Sequence, residues 1–131
     1  MRLETPTPSL LIADDDSGYR ETLRGVFEPR RIRTLLAGDG EEALRIVQSE
    51  PVHLVLLDMH MPKLSGLETL QRLKEIRALL PCILLSAHLD EVIIEQARLA
   101  RAFSVLSKTV TLNQIRGAVR QALERTYAWQ E

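Results

Sequence analysis

Five short apolar runs, separated by longer amphipathic segments, set the strongest limit on how this chain can fold. The runs cover residues 10–13, 32–37, 53–57, 82–86 and 103–107, each of strand length. Three are almost wholly apolar, as strands are when both faces of a sheet are covered. Helical patterns follow at 17–28, 40–50, 65–79, 89–100 and 112–127. In the third, Leu67, Leu70, Leu73, Ile76 and Leu80 recur at three- and four-residue spacing and predict one apolar stripe. Strand and helix in regular alternation predict a doubly wound α/β domain, because right-handed crossovers put helices on both faces of a parallel sheet. Ligands of such folds sit at the carboxyl ends of the strands.

Local punctuation agrees with these boundaries. All six prolines (6, 8, 29, 51, 62 and 81) fall outside the proposed elements. Asp39-Gly-Glu-Glu42, Ser65-Gly-Leu-Glu68 and Thr111-Leu-Asn-Gln114 read as capping boxes, and Asp16 or Ser17 is expected to cap the first helix. Gly25 and Gly117 lie inside proposed helices, where glycine costs stability. With 131 residues the chain reads as one domain. Residues 1–8 are expected to be a disordered lead-in, 9–127 the domain, and 128–131 a C-terminal extension. Trp129 in that extension either packs back on the domain or begins a connection to something further.

Charge and cysteine usage narrow the setting. Lys+Arg is 17 and Asp+Glu is 18, for a net charge of −1, which argues against nucleic acid or an anionic membrane as partner. One Trp, two Tyr and two Phe are too few for a base-stacking platform. Cys82 is the single cysteine and opens an apolar strand, so a buried inert thiol in a reducing cytoplasm is expected. The longest apolar runs have four residues, far short of a membrane span. If the chain is complete, its effector must be another molecule, expected to be a protein.

The strand ends carry the chemistry. The first run ends in Asp14-Asp15-Asp16, and the third in Asp58 followed by Met59-His60-Met61-Pro62-Lys63-Leu64-Ser65-Gly66. The fourth ends in Ser86-Ala87 and the fifth in Ser107-Lys108. Asp14, Asp15 and Asp58 would repel one another without a cation, and an oxygen-only site with room for water suits Mg2+ better than zinc. An ammonium and a hydroxyl beside them supply charge neutralisation and a hydrogen bond for a transferred phosphoryl group.

In this order and at this spacing the residues resemble the receiver domain of two-component response regulators, from Leu10 to about Tyr127. The resemblance rests on the acidic pair after the first strand, Asp-x-x-Met-Pro-x-x-x-Gly at 58–66, Ser86-Ala87, Lys108, and the Gly38-Asp-Gly-Glu-Glu-Ala-Leu44 entry to the second helix. It implies a flavodoxin-like five-stranded parallel sheet of order 2-1-3-4-5 with five helices. It also implies that Asp58 is the phosphoacceptor, taking a phosphoryl group from a sensor histidine kinase, a phosphotransfer protein or a small phosphodonor. Asp15, Asp58 and the backbone carbonyl of His60 would bind Mg2+ directly, with Asp14 holding a metal-bound water. Lys108 would pair with Asp58 and then with the phosphoryl oxygens. The Ser86 hydroxyl would move toward the phosphoryl group and shift a surface read by a downstream protein effector. His60 and His88 stand where the family tunes phosphoryl lifetime; two exposed loop histidines without a specific role is the other reading. Arg98, Arg101, Arg116 and Arg120 near helices four and five read as solvated surface, or as part of a homodimer face. Such a protein catalyses its own phosphorylation and dephosphorylation, and is a signalling protein rather than an enzyme.

Two positions depart from the family pattern. Thr109 follows Lys108 where most receivers carry proline in a cis bond, so the bond here is either trans or strained. Val105 stands where many receivers have a rotating Tyr or Phe. These departures keep open an alternative, a degenerate receiver acting as a phosphorylation-independent interaction or dimerisation module. A small α/β phosphatase with Asp58 as nucleophile is a third reading, but its usual second acid two residues on is His60 here. No Gly-x-Gly-x-x-Gly or Walker-type loop follows any strand.

Overall fold

The strands and helices alternate as the hydrophobic pattern requires, in a computed structural model that describes residues 7–131. Most of the lead-in expected at 1–8 lies outside the described residues. The strands are β1 (Ser9–Ala13), β2 (Arg33–Ala37), β3 (Leu54–Asp58), β4 (Cys82–Ser86) and β5 (Ser104–Ser107). The helices are α1 (Ser17–Phe27), α2 (Gly40–Ser49), α3 (Gly66–Ile76), α4 (Glu91–Leu99) and α5 (Leu112–Tyr127). All pairings are parallel and the order is β2-β1-β3-β4-β5, as expected. The chain leaves β1 to one side for β2 and crosses to the other for β3, so the order reverses between β1 and β3. In open α/β sheets such a reversal leaves a crevice at the carboxyl ends of the two strands, here β1 and β3.

Burial follows position in the sheet. Every residue of β1, β3 and β4 is buried, whereas β5 is half-exposed throughout and β2 is buried only at Ala37. Alternate side chains of the central strands feed two apolar layers. Leu10, Ile12, Leu54, Leu56 and Ile83 pack under α1 and α5 with Leu23, Phe27, Val119 and Leu123. Leu11, Val55, Leu57 and Leu84 pack under α2, α3 and α4 with Val47, Leu70, Leu73 and Ala97.

The helix termini depart from expectation in two places. Helix α3 ends at Ile76, three residues before its apolar pattern does, because Arg77 leaves helical geometry at φ −142 and ψ 89. Lys74 then donates to the carbonyls of Ala78 and Leu80, and Pro81 forces the approach to β4 to be extended. Ile76 and Leu79 are exposed, so the predicted stripe stops at Leu73; Leu80 is buried from the connection instead. Both Ser65–Glu68 and Thr111–Gln114 form complete capping boxes. At α2 only half of one forms: Asp39 accepts from Glu42 N–H, but the Glu42 carboxylate accepts from Gly38 N–H. Asp16, not Ser17, caps α1.

The end of the chain packs back onto the domain. Ala128 takes the left-handed conformation at φ 58, turning Trp129 into the layer between α1 and α5, where it is 8% exposed. Tyr127 donates to the His53 carbonyl at 2.7 Å, and its ring meets the His53 imidazole edge-on. Glu131 pairs with Arg116 at 2.7 Å.

Two stability predictions follow from this packing. Trp129→Ala should cost about 3 kcal/mol, read as a lower urea midpoint with unchanged slope by circular dichroism. Gly25 and Gly117 have open space at their Cβ positions, so Gly25→Ala should raise stability by about 0.5–1 kcal/mol in the same measurement.

Candidate functional site

The turn after β1 builds one wall of the crevice. Asp14 extends the ladder by donating its N–H to the Ala37 carbonyl at 3.0 Å, and its own carbonyl accepts from the Arg20 guanidinium. Its carboxylate is buried and accepts from Asp16 N–H at 2.9 Å, while Asp15 is exposed. Asp58 forms the opposite wall as the last, buried residue of β3. Its position is fixed from behind, where Met59 N–H donates to Leu85 and Gly66 N–H donates to Met59. A Cβ on Gly66 would lie 2.3 Å from the Asp58 carbonyl oxygen, so only glycine lets α3 start this close to the strand end.

Lys108 reaches in from the end of β5 and ties both walls together. Its Nζ lies 2.7 Å from Asp14 Oδ2 and 3.3 Å from Asp58 Oδ1. Among the described residues no peptide bond is cis, so Lys108–Thr109 is trans. The turn is closed without proline: Thr109 N–H donates to Ser107 Oγ at 3.1 Å and Val110 N–H to the Ser107 carbonyl at 3.2 Å.

Charge in this pocket is not balanced. One carboxylate oxygen from each of Asp14, Asp15 and Asp58 lies within 4.8 Å of the others, against one ammonium. Burial, and then the Asp14 charge, hold Asp58 above the usual carboxylate range, although Lys108 and the His60 backbone N–H pull the other way. Burial works to lower Lys108, but its contacts with Asp14 and Asp58 carry it above an ordinary lysine. An all-oxygen set with excess negative charge fits a hard divalent cation such as Mg2+ and does not suit zinc.

Ser86 and the two histidines sit around this centre in a particular way. Ser86 is fully buried, and its hydroxyl donates to the His88 carbonyl at 2.9 Å. His60 and His88 are exposed, and it is their backbones that engage site residues: His60 N–H meets Asp58, and the His88 carbonyl meets Ser86. Val105 is half-buried against the layer that holds Ile93 and Ala97 of α4. One residue at the site was not singled out from sequence. Tyr19, in the first turn of α1, lies with its ring centroid 4.6 Å from Lys108 Nζ. Its spacing with Leu23 and Phe27 reads as an ordinary core stripe.

The strained charge of Asp58 has a measurable consequence. Because its folded-state pKa is raised, its contribution to stability is fully present below the unfolded pKa and is lost as pH rises through the folded value. In metal-free buffer near pH 7, Asp58→Asn should therefore melt about 2–5 °C above wild type, with the gap closing as pH falls through the raised folded value toward about 4.

Comparison with known proteins matches this arrangement. The family described as response regulator receiver domain matches residues 10–120. Sporulation initiation phosphotransferase F of Bacillus subtilis is 35% identical over 114 residues, covering 87% of this chain and 92% of that protein. Response regulator MprA of Mycolicibacterium vanbaalenii is 36% identical over 118 residues, covering 89% of this chain but only 51% of its relative, so the chain spans about half of that protein. Among solved structures, a CheY-like receiver domain protein from Methanospirillum hungatei superposes with a TM-score of 0.88 at 20% identity, covering 92% of this chain and 96% of that one. That last likeness speaks to the fold, and the family match and the sequence relatives speak to descent. The chain belongs to the response regulator receiver domain family of two-component systems.

Proposed function

We propose that the chain is an Mg2+-dependent phosphoacceptor switch, with Asp58 as the residue phosphorylated. The observation that carries this reading is the buried Asp58 carboxylate at the crevice, within 3.3 Å of Lys108 and beside a second buried acid. In the transfer step an Asp58 oxygen attacks the phosphorus of a phosphohistidine on a sensor kinase or phosphotransfer protein. The P–N bond breaks as the P–O bond forms, and imidazole leaves with the electron pair, neutral when its other nitrogen holds a proton. Lys108 stands where it can neutralise charge on the phosphoryl oxygens as they arrive. Asp14, Asp15, Asp58 and the His60 carbonyl would hold the cation. When bound, Mg2+ supplies charge neutralisation at the phosphoryl oxygens.

Switching begins at Ser86. To reach a phosphoryl group its hydroxyl exchanges the His88 carbonyl for a phosphoryl oxygen, which frees the β4–α4 loop to move. With Val105 in place of an aromatic, that movement is transmitted by aliphatic packing against α4. The His60 and His88 side chains, exposed at the rim, are placed to tune phosphoryl lifetime. The exposed Val92, Ile94 and Leu99 of α4 and Leu112 of α5 support a protein-binding surface there, either for a downstream effector or for a second copy. Among the described residues no helix is long and apolar enough to cross a membrane. The reading places this domain, residues 9–127, in the cytoplasm, with no direct nucleic-acid role.

Incubation with Mg2+ and acetyl phosphate tests it. Intact mass should rise by one phosphoryl group in wild type and not in Asp58→Asn, and Lys108→Ala should slow the gain by about a hundredfold. Beryllofluoride should shift the amide spectrum around Ser86 and α4 in wild type only. An unmodified wild type would instead favour the phosphorylation-independent module.

A further inference from the structure

The Lys108 ammonium has three N–H donors, and two of them face carboxylates at 2.7 and 3.3 Å. The face of Tyr19 also lies against the ammonium, 4.6 Å away at the ring centroid. This is cation–π distance, and Lys108 is only 22% exposed there, so the attraction acts in a partly desolvated setting. The helical turn that carries the ring is fixed by the acidic run: Tyr19 backbone N–H donates to the Asp16 carboxylate that caps α1. The ring packs with the layer between α1 and α5. Among the described residues the Tyr19 hydroxyl is buried with no hydrogen-bond partner, so its oxygen makes no hydrogen bond to the site.

We propose that Tyr19 is a positioning residue for phosphoryl transfer, its ring face keeping the Lys108 ammonium over Asp58 when Asp14 is taken up by the cation. This rests on the phosphoacceptor reading. Asp14 now holds Lys108 by the shorter of its two ion contacts, and Asp14 is also one of the acids that would hold Mg2+. Once Asp14 is committed to a cation, the ammonium keeps Asp58 and the ring. The ring takes up no ligand position and carries no formal charge, so it can hold the ammonium on the inner side of the pocket without competing for metal or phosphoryl oxygens. Without it, the flexible lysine stem is free to turn its charge toward water.

The test uses Tyr19→Phe, which keeps the ring and removes the orphaned hydroxyl, and Tyr19→Leu and Tyr19→Met, which remove the ring at similar bulk. Folding of each is checked by circular dichroism. In the NMR spectrum without phosphodonor, the Lys108 ε-methylene protons should show a ring-current shift in wild type and Tyr19→Phe that is lost in the Leu and Met variants. With Mg2+ and acetyl phosphate, Tyr19→Phe should gain its phosphoryl group at the wild-type rate, and the Leu and Met variants about three- to tenfold more slowly. Retention of the shift without the ring, or wild-type rates in folded Leu and Met variants, overturns the proposal. So does a Phe variant as slow as the Leu variant, which would assign the effect to the hydroxyl. A wild type that takes up no phosphoryl group overturns the phosphoacceptor reading, and the rate effect of Tyr19 with it; a normally modified wild type beside unaffected Leu and Met variants overturns Tyr19 alone.

Discussion

One lysine holds this site together. Lys108 extends from the end of β5 to acids at the ends of β1 and β3, so a single ammonium spans three of the five strands. Two buried carboxylates side by side would otherwise be driven to protonate or to move apart. The reach depends on strand order, since β1 and β3 are neighbours and β5 lies two strands further from β1. It depends equally on the turn after β5, which Ser107 and Thr109 side chains close without proline. The ammonium supplies less charge than the three acids carry, and burial first, then the Asp14 charge, hold Asp58 above the usual carboxylate range.

That deficit gives the pocket a reason to respond to ligands. A site whose charges were already balanced would gain little from a cation, whereas here each added positive charge relieves a repulsion built into the fold. Ligand binding shifts a conformational equilibrium only by its differential affinity for the two states. Under the phosphoacceptor reading the contacts exchanged are the Ser86–His88 bond and the Lys108–Asp14 bond, beside the half-buried β5 edge. Trp129, Tyr127 and His53 close the layer beneath α5 with apolar and hydrogen-bonded contacts, offsetting what the acidic end costs.

Most of this was legible in the sequence because it depends on local pattern. Buried central strands need uninterrupted apolar runs, and Leu54 to Leu57 or Ile83 to Leu85 can hardly read otherwise. Asp58 was visible because a charged residue ending such a run must sit at the sheet's edge. What escaped was non-local or a matter of competition between partners. The apolar spacing of α3 ran on past Ile76, but Arg77 leaves helical geometry there and Lys74 donates to the loop carbonyls beyond it. Glu42 found Gly38 N–H instead of the cap backbone, a choice that capping patterns do not encode. Trp129 packs into the layer between α1 and α5, a long-range contact that local pattern does not encode. Tyr19 carries no local sign of its contact with Lys108, because the lysine reaches it from the end of β5.

Tyr19 shows why a residue type at a buried stripe can carry more than packing. Leu23 and Phe27, one and two turns further along α1, are fully enclosed by hydrocarbon and could exchange with other apolar side chains at a cost set by shape. Tyr19 lies at the end of the same stripe, where the core gives way to the acidic crevice, and its face meets a cation. An aliphatic residue would satisfy the core at that boundary and leave the ammonium without a partner on that side. An acid would satisfy the ammonium but add a fourth carboxylate to a pocket already short of positive charge. An aromatic ring meets both demands, because it is apolar toward the core and carries a negative quadrupole toward the lysine. The identity of this side chain is therefore set by the boundary it occupies, between a layer that excludes charge and a site that concentrates it.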